Sequence, residues 1–398
     1  MLNVPLRPNR PVYLDNQATT RCDPRVVEAM LPWFTEHYGN PHSVEHVMGT
    51  EAEAAVEDAR VHVATLIGAD PKEVVFTSGA TESNNLAIKG AARFAAGSDR
   101  RRIISVATEH KCVLESVADL EAEGFEPVFL PVRSDGLVDP DTLRAALATP
   151  TLLVSVMTVN NEIGVIQDIS ALAAITKQAG ALFHTDIAQA TGKIPLDLSG
   201  WKVDLASISG HKIYGPKGVG ALYVRRRPRV RLTPLFSGGG QERGLRSGSL
   251  PAPLIVGLGE ACRLAVAEIA DEAARLTGLR QRLLDRLMAD IPGISINGSM
   301  AARIPGNLNV TFPVASAAEL MERVPDLCVS TGSACSSATI EPSYVLRALG
   351  LSDEAASRTL RVGIGRFTST ADIDYAAAAL AAAHAGAPAP GIEHLAKA

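Results

Sequence analysis

Two groups of residues in this chain have the types and spacing to do chemistry on a small molecule. The first is Ser209-Gly210-His211-Lys212, which follows the apolar run Val203 to Ile208, broken by one acid. Tyr214-Gly215-Pro216-Lys217-Gly218 comes next, where glycines and a proline keep the chain turning. That places an ammonium at a strand end. A lysine there is either a solvated surface residue, the ordinary fate of the type, or an amine whose pKa is lowered by desolvation or a neighbouring cation, ready to form a Schiff base. Ser209 and His211 favour the second reading, because a hydroxyl and an imidazole beside the amine suit a phosphate. The second group lies 26 residues earlier, in His184-Thr185-Asp186-Ile187-Ala188-Gln189. An aspartate at the end of an apolar run is either a helix N-cap or the partner of a protonated pyridine nitrogen, and Gln189 is placed to bond a ring hydroxyl. With Ser-x-His-Lys downstream, the pair points to pyridoxal phosphate (PLP), whose protonated ring is an electron sink for a carbanion.

The elements that must position these groups are short β-branched runs alternating with longer helical stretches. They are Val74-Val75-Phe76, Ile103 to Val106, Val128 to Leu130, Leu152 to Val156, Leu182-Phe183, Leu205 to Ile208 and Ala221 to Val224. Seven such runs joined by crossovers of helical length predict an α/β fold with a mostly parallel seven-stranded sheet and helices on both faces. The polar candidates follow runs directly: Ser78 to Thr81, His110, Asn160 to Glu162, Asp186 to Gln189 and Ser209 to Lys212. In an open α/β sheet, ligands bind outside the carboxyl ends of the strands, so residues this far apart can meet in one crevice. Thr77-Ser78-Gly79-Ala80-Thr81 opens a helix just after a strand, which makes its backbone amides an anion site. Short glycine-serine turns of this kind are common; in this setting Ala80 and Thr81 are assigned to a phosphate. His110 is either a half-buried histidine or a proton shuttle. Asn160-Asn161-Glu162 reads as a turn by composition alone.

A second chemical centre lies in Thr331-Gly332-Ser333-Ala334-Cys335-Ser336-Ser337-Ala338-Thr339. Its side chains are almost all small and cannot bury themselves, so the sequence predicts an accessible thiol on an exposed loop. A structural cysteine sits among apolar neighbours; that describes Cys328, assigned to the core, and not Cys335, assigned to chemistry. Cys22, Cys112 and Cys262 are read as structural, although Cys112 lies two residues after His110. No second thiol or histidine stands at metal-ligand spacing beside Cys335. Arg361, in Leu360-Arg361-Val362-Gly363, lies in an apolar stretch where a guanidinium needs a carboxylate, and a substrate α-carboxylate would pair with it bidentately. Arg366 is the structural alternative.

Ser209 to Gly218, Thr77 to Ser83, Thr108-Glu109-His110-Lys111 and Ser333-Ala334-Cys335-Ser336 closely resemble the cysteine desulfurases of the class V aminotransferase group, and within it the housekeeping type that feeds iron-sulfur cluster assembly. The resemblance runs from about Tyr13 to about Tyr375. It implies a PLP fold-type-I homodimer that removes sulfur from L-cysteine and leaves L-alanine. By resemblance, Lys212, Cys335 and His110 are catalytic, His110 stacking on the PLP ring; Ala80, Thr81, Asn161, Asp186, Gln189, Ser209, His211, Lys212 and Ser249 hold PLP; and Arg361 with Asn161 takes the substrate. Ser249 ends the glycine-rich loop that begins at Gly238 and stands where the group often has threonine; in the group this loop end reaches the phosphate of the partner subunit. Cys335 would carry the persulfide to an acceptor such as an iron-sulfur scaffold, and the loop of about 328–342 resembles those that swing between PLP and the acceptor. The alternatives are a selenocysteine lyase or another class V aminotransferase or lyase, for which Cys335 matters less or not at all. The resemblance sets a large domain at 16–259 and a small α+β domain from 1–15 and 260–398. Its C-terminal tail differs from the usual one.

Composition agrees with an enzyme of this size. The 398 residues are 46% hydrophobic, enough for a large core and two domains. A net charge of -5 gives no reason to expect nucleic acid. The basic run Arg225-Arg226-Arg227-Pro228-Arg229-Val230-Arg231 is either an anion-binding patch or, the favoured reading because acids elsewhere outnumber bases, a solvated loop or partner surface. No uncharged run approaches a membrane span. Met1 to Asp15, mixing prolines and arginines, lacks the apolar centre of a signal peptide. Five cysteines without regular pairing suit a reducing cytoplasm, and no metal site is expected.

Overall fold

The computed structural model describes residues 11–332, 342–387 and 389. It divides into two compact units, a larger one of Thr19–Asn160 with Val165–Ile269, and a smaller one of the residues up to Ala18, Asn161–Gly164 and those from Ala270 onward. The cut therefore falls at 18/19 and 269/270 rather than at 15/16 and 259/260. The second cut falls within one continuous helix, Ala252–Asp290, which leaves no linker at either position.

The chain's first strand, β1 (Val12–Tyr13), belongs to the smaller unit. The larger unit holds the next seven: β2 (Val74–Thr77), β3 (Arg102–Val106), β4 (Glu126–Leu130), β5 (Thr151–Ser155), β6 (Leu182–Asp186), β7 (Leu205–Ser209) and β8 (Gly220–Val224). They form one sheet in the order β2-β8-β7-β6-β5-β3-β4. Every pair is parallel except those of β8, which is antiparallel to β2 and β7. The central strands β5, β7 and β8 are buried at every position, as strands covered on both faces must be, and this is why they read as continuous apolar runs. Because β8 alone is reversed, the carboxyl ends of β2, β3, β5, β6 and β7 share one edge.

Not every crossover is helical, contrary to the sequence reading. Residues 187–204 pass from β6 to β7 in turns, and β7 reaches β8 through residues 210–219, which open on a single 3-10 turn instead of an α-helix. That turn carries Lys212. Against the sheet packs the helix Ala80–Phe94, whose Leu86, Ala87, Ile88 and Ala91 join Val75, Ile103, Leu153, Leu205 and Leu222 in one core. Full burial of Leu86 or Ile88 contributes about 1.5–3 kcal/mol each.

The smaller unit is built around an antiparallel sheet of β9 (Ser295–Ile296), β10 (Asn307–Thr311) and, beyond the short β11 (Leu327–Cys328), β12 (Thr359–Gly363), in the order β12-β10-β9. β1 pairs in parallel with β11. Leu308, Val310, Leu360 and Val362 pack with Leu283, Leu287 and Leu380 in a separate core. On this two-stranded edge Cys328 is half-buried rather than a core residue. The strand carrying Arg361 was not foreseen. Thr370–His384 closes the unit as a helix, begun by a capping box between Ser369 and Asp372.

Candidate active site

β7 ends at Ser209, and the chain then makes a single 3-10 turn, Gly210–Lys212. The Gly210 amide donates to Val219 O at 3.0 Å, and the Ile213 and Gly215 amides donate back to Gly210 O at 3.2 and 3.0 Å. Thr20 fastens the turn from outside. Its amide and its hydroxyl both donate to His211 O, at 2.9 and 3.0 Å, and its hydroxyl accepts from the Tyr214 amide at 2.9 Å. These bonds hold Tyr214 at φ 64°, a left-handed conformation costing about 1–3 kcal/mol. Lys212 emerges half-buried. His211 Nδ1 lies 3.0 Å from Thr19 Oγ1, and burial, followed by the charges of Lys212, Lys217 and Lys193, brings its pKa down to about 4. Its imidazole is neutral at physiological pH.

β2 leads into Gly79, which caps the helix Ala80–Phe94 at φ 148°, a conformation that favours glycine. Gly220 on β8 permits the close approach here. A Cβ on it would stand 2.6 Å from Gly79 Cα and 2.2 Å from Ile208 O. A Cβ on Gly79 would lie 4.0 Å from Ser209 Oγ. The hydroxyl three residues before Lys212 is thus beside the helix N-terminus that carries Ala80 and Thr81, with its free amides and positive dipole end. Behind it, burial would raise the Glu82 pKa, but Arg246 at 2.9 Å and the Ser78 amide at 2.8 Å lower it on balance.

Asp186 closes β6 and is 5% exposed. Its Oδ1 accepts from the Ala188 amide at 2.8 Å, and its Oδ2 from Asn84 Nδ2 at 2.8 Å. Asn84 lies one turn into the helix begun at Ala80, so this bond draws Asp186 to the same place as Ser209 and the anion turn. Asn84 Nδ2 also reaches Cys112 Sγ at 3.2 Å, and Cys112 Sγ lies 3.0 Å from His110 Nδ1. His110 caps the helix Lys111–Ala118, its Nδ1 accepting from the Cys112 amide at 3.2 Å. Beside it Glu109 is wholly buried and accepts from the Met157 amide. Burial, with the Asp186 charge second, pushes its carboxyl well above the usual range. Gln189 Oε1 accepts from Lys193 Nζ at 2.7 Å.

In the smaller unit, Arg361 lies in the middle of β12, opposite Asn309, and is 3% exposed. Its Nη2 donates to Asp15 Oδ1 at 2.7 Å and its Nη1 to Asn161 O at 3.1 Å. The expected carboxylate partner is therefore present within the chain, as Asp15. Arg361 Nε and Asn161 Oδ1 are buried without a partner among the described residues. Arg366, the structural alternative, pairs with Glu272 at 2.8 Å. Ser249 is exposed and makes no hydrogen bond among the described residues. Cys335 lies outside the described residues. Of the basic run, Arg225 is buried and donates to Ser199 O at 3.3 Å, so it is not solvated as expected; Arg226, Arg227 and Arg229 are exposed. Among the described residues no group of three or more His, Cys, Asp or Glu could hold a metal, and no helix is long and apolar enough to cross a membrane.

The class-V aminotransferase family matches residues 12–376. A mitochondrial cysteine desulfurase of Arthroderma benhamiae is 58% identical over 368 residues, 92% of this chain and 73% of the relative. The cysteine desulfurase IscS of Rickettsia felis is 54% identical over 369 residues, 93% of this chain and 90% of its own. The chain belongs to the class-V aminotransferases, as a cysteine desulfurase. A solved NifS-like protein superposes with a TM-score of 0.86 at 38% identity, over 94% of this chain and 98% of that one. The desulfurase has the fold-type-I α/β architecture and depends on PLP. Neither a selenocysteine lyase nor another class V lyase gains support from these relatives.

The residues of the larger unit fit that cofactor: a helix N-terminus with a serine hydroxyl beside it suits a phosphate, and a buried carboxylate held by two donors suits a pyridinium. One residue of the desulfurase's candidate site, Asn84, escaped the sequence reading, although it carried a readable signal: it lies four residues after Ala80, one helical turn along. Asp15 and Thr20 fall in the polar turn of Tyr13 to Thr20, which by resemblance lies near the site, but their partners, 346 and 191 residues away, have no local signal.

Proposed function

We propose that this desulfurase works through Lys212, Asp186, His110, Arg361 and Cys335, and that Cys335 receives the sulfur of L-cysteine. The observation that carries the reading is the 2.8 Å bond from Asn84 to Asp186, which ties the carboxylate to the helix whose N-terminus is the anion turn. Bound PLP supplies the electron sink that lets the substrate's Cα–H bond break. Asp186 pairs with the ring nitrogen. Ala80, Thr81, Ser209, His211 and, from a second copy of the chain, Ser249 hold the phosphate, while Gln189 and Asn161 face the ring hydroxyl. Lys212 binds the cofactor at rest and takes the Cα proton. His110 stacks on the ring and moves protons. Arg361, with an orphaned Nε–H, binds the substrate carboxylate.

The Cys335 thiolate then attacks the substrate sulfur. A sulfur–sulfur bond forms, the carbon–sulfur bond breaks with its electron pair left on carbon, and protonation of that carbon gives L-alanine. Cys335 is left as a persulfide, a reversible thiol state, from which sulfur passes to an acceptor such as an iron-sulfur scaffold. Catalysis takes place in a cytoplasmic homodimer, cofactor chemistry residing in the larger unit and the thiol in the smaller one. The test is mass spectrometry after brief exposure to L-cysteine, with alanine assayed in parallel. Added sulfur on Cys335 with alanine formed is the expected result. Alanine formation undiminished in Cys335→Ala would overturn it.

A further inference from the structure

Asn84, Cys112 and His110 form a line of hydrogen bonds whose direction is set by their donors. Asn84 must turn its nitrogen to Asp186, because its amide oxygen would repel that carboxylate. The same NH2 group supplies the hydrogen that reaches Cys112 Sγ at 3.2 Å. With Sγ accepting there, the thiol hydrogen is free to go to His110 Nδ1, 3.0 Å away. A second and permanent donor meets the same nitrogen, the Cys112 backbone amide at 3.2 Å. A ring nitrogen facing a backbone N–H cannot carry a hydrogen of its own, so Nδ1 presents its lone pair. The neutral imidazole then has its hydrogen on Nε2. His110 also caps the eight-residue helix Lys111–Ala118, whose dipole disfavours a positive ring at that end.

We propose that Cys112 is a positioning residue: through its amide and its thiol it fixes His110 as the neutral form with hydrogen on Nε2, so that His110 meets the reacting substrate as a hydrogen donor rather than as a base. This rests on the reading of His110 as the residue facing the cofactor ring. It gives a purpose to a thiol that sulfur transfer through Cys335 leaves unused.

The experiment uses PLP-loaded protein with its nine histidines labelled with 15N, the His110 signals being assigned by their loss in His110→Gln. Two-bond proton–nitrogen correlation near neutral pH should show His110 with a hydrogen on Nε2 and a bare Nδ1. Cys112→Ala should lower the rate of alanine formation about fivefold, the worth of one ordinary hydrogen bond, with KM unmoved, and Cys112→Ser should restore it. A His110 hydrogen on Nδ1, a doubly protonated ring, or a Cys112→Ala enzyme as fast as the parent overturns the proposal. Visible absorbance of bound cofactor in the same samples separates the two failures. If it is absent, the cofactor reading falls, while the tautomer is still read from the spectrum.

Discussion

The larger unit holds Asp186, His110 and Lys212 where parallel strands end and turns begin, whereas the smaller unit holds Arg361 in the middle of an antiparallel strand. At the strand ends, backbone groups do most of the holding: the Ala188 amide on Asp186, the Cys112 amide on His110, and the Gly210 and Thr20 bonds around Lys212. In β12 the strand itself offers Arg361 no charge. Its guanidinium depends on Asp15 and on the Asn161 carbonyl. A side chain at a backbone-held turn can be removed with its chemistry while the turn persists. A buried arginine held by a distant side chain joins binding to stability.

The contrast is tested most strongly at Lys212. Lys212→Ala should lower the rate of alanine formation by about 10⁴-fold, the upper end of what a positioned proton carrier supplies, while the thermal midpoint of the apoprotein stays within about 2 °C of the parent, since a half-buried side chain on a hydrogen-bonded turn adds little to stability. A variant retaining a tenth of the activity would remove Lys212 from the chemistry. Arg361→Lys should behave differently. It keeps the charge and loses the planar fork, and a hydrogen bond to a charged group is worth about 1.5–3 kcal/mol. KM for L-cysteine should therefore rise about 10- to 100-fold with kcat little changed. A drop in kcat at constant KM would move Arg361 from the substrate carboxylate to the reacting centre.

The same contrast explains what could be read from the sequence. All seven strands of the large sheet were legible as short apolar runs; the inner ones are unbroken because they are buried on both faces, whereas the edge strand β4 is exposed at Glu126 and Phe129. The strand-end residues were legible because each follows its run within a few positions. The reversed β8 was not, since an antiparallel neighbour reads like a parallel one when both faces are covered. β12 was missed because its residues alternate with Arg361, which breaks the apolar pattern. The Asp15 partner is set by tertiary pairing across 346 residues, and no local pattern encodes that. Cys112 fell between these cases: its closeness to His110 was visible, but the bond to Asn84 appears only once the helix Ala80–Phe94 is docked on the sheet.

The smallest effect expected is a pH dependence that sets the two units apart. His184 on β6, two residues before Asp186, is wholly buried between Ser155 Oγ at 2.8 Å and Ser207 Oγ at 3.0 Å. Burial lowers its pKa from 6.5 to about 3. Between those values the unfolded chain binds a proton that the folded one refuses, so the contribution is complete above pH 6.5 and is lost as pH falls toward 3, at about 1.4 kcal/mol per pH unit. In the smaller unit the buried Arg303 is lowered to about 9, by burial and then by Arg280. It titrates at the alkaline end, where folding gains stability as pH rises past 9. Both tryptophans, Trp33 and Trp201, lie in the larger unit, so their fluorescence during urea unfolding follows that unit. From pH 6.5 to 4.5 its unfolding free energy should fall more steeply in the parent than in His184→Gln, which has no imidazole to charge. Equal slopes would assign the acid sensitivity of the large sheet to carboxylates such as Glu82, whose lowered pKa acts in the same direction.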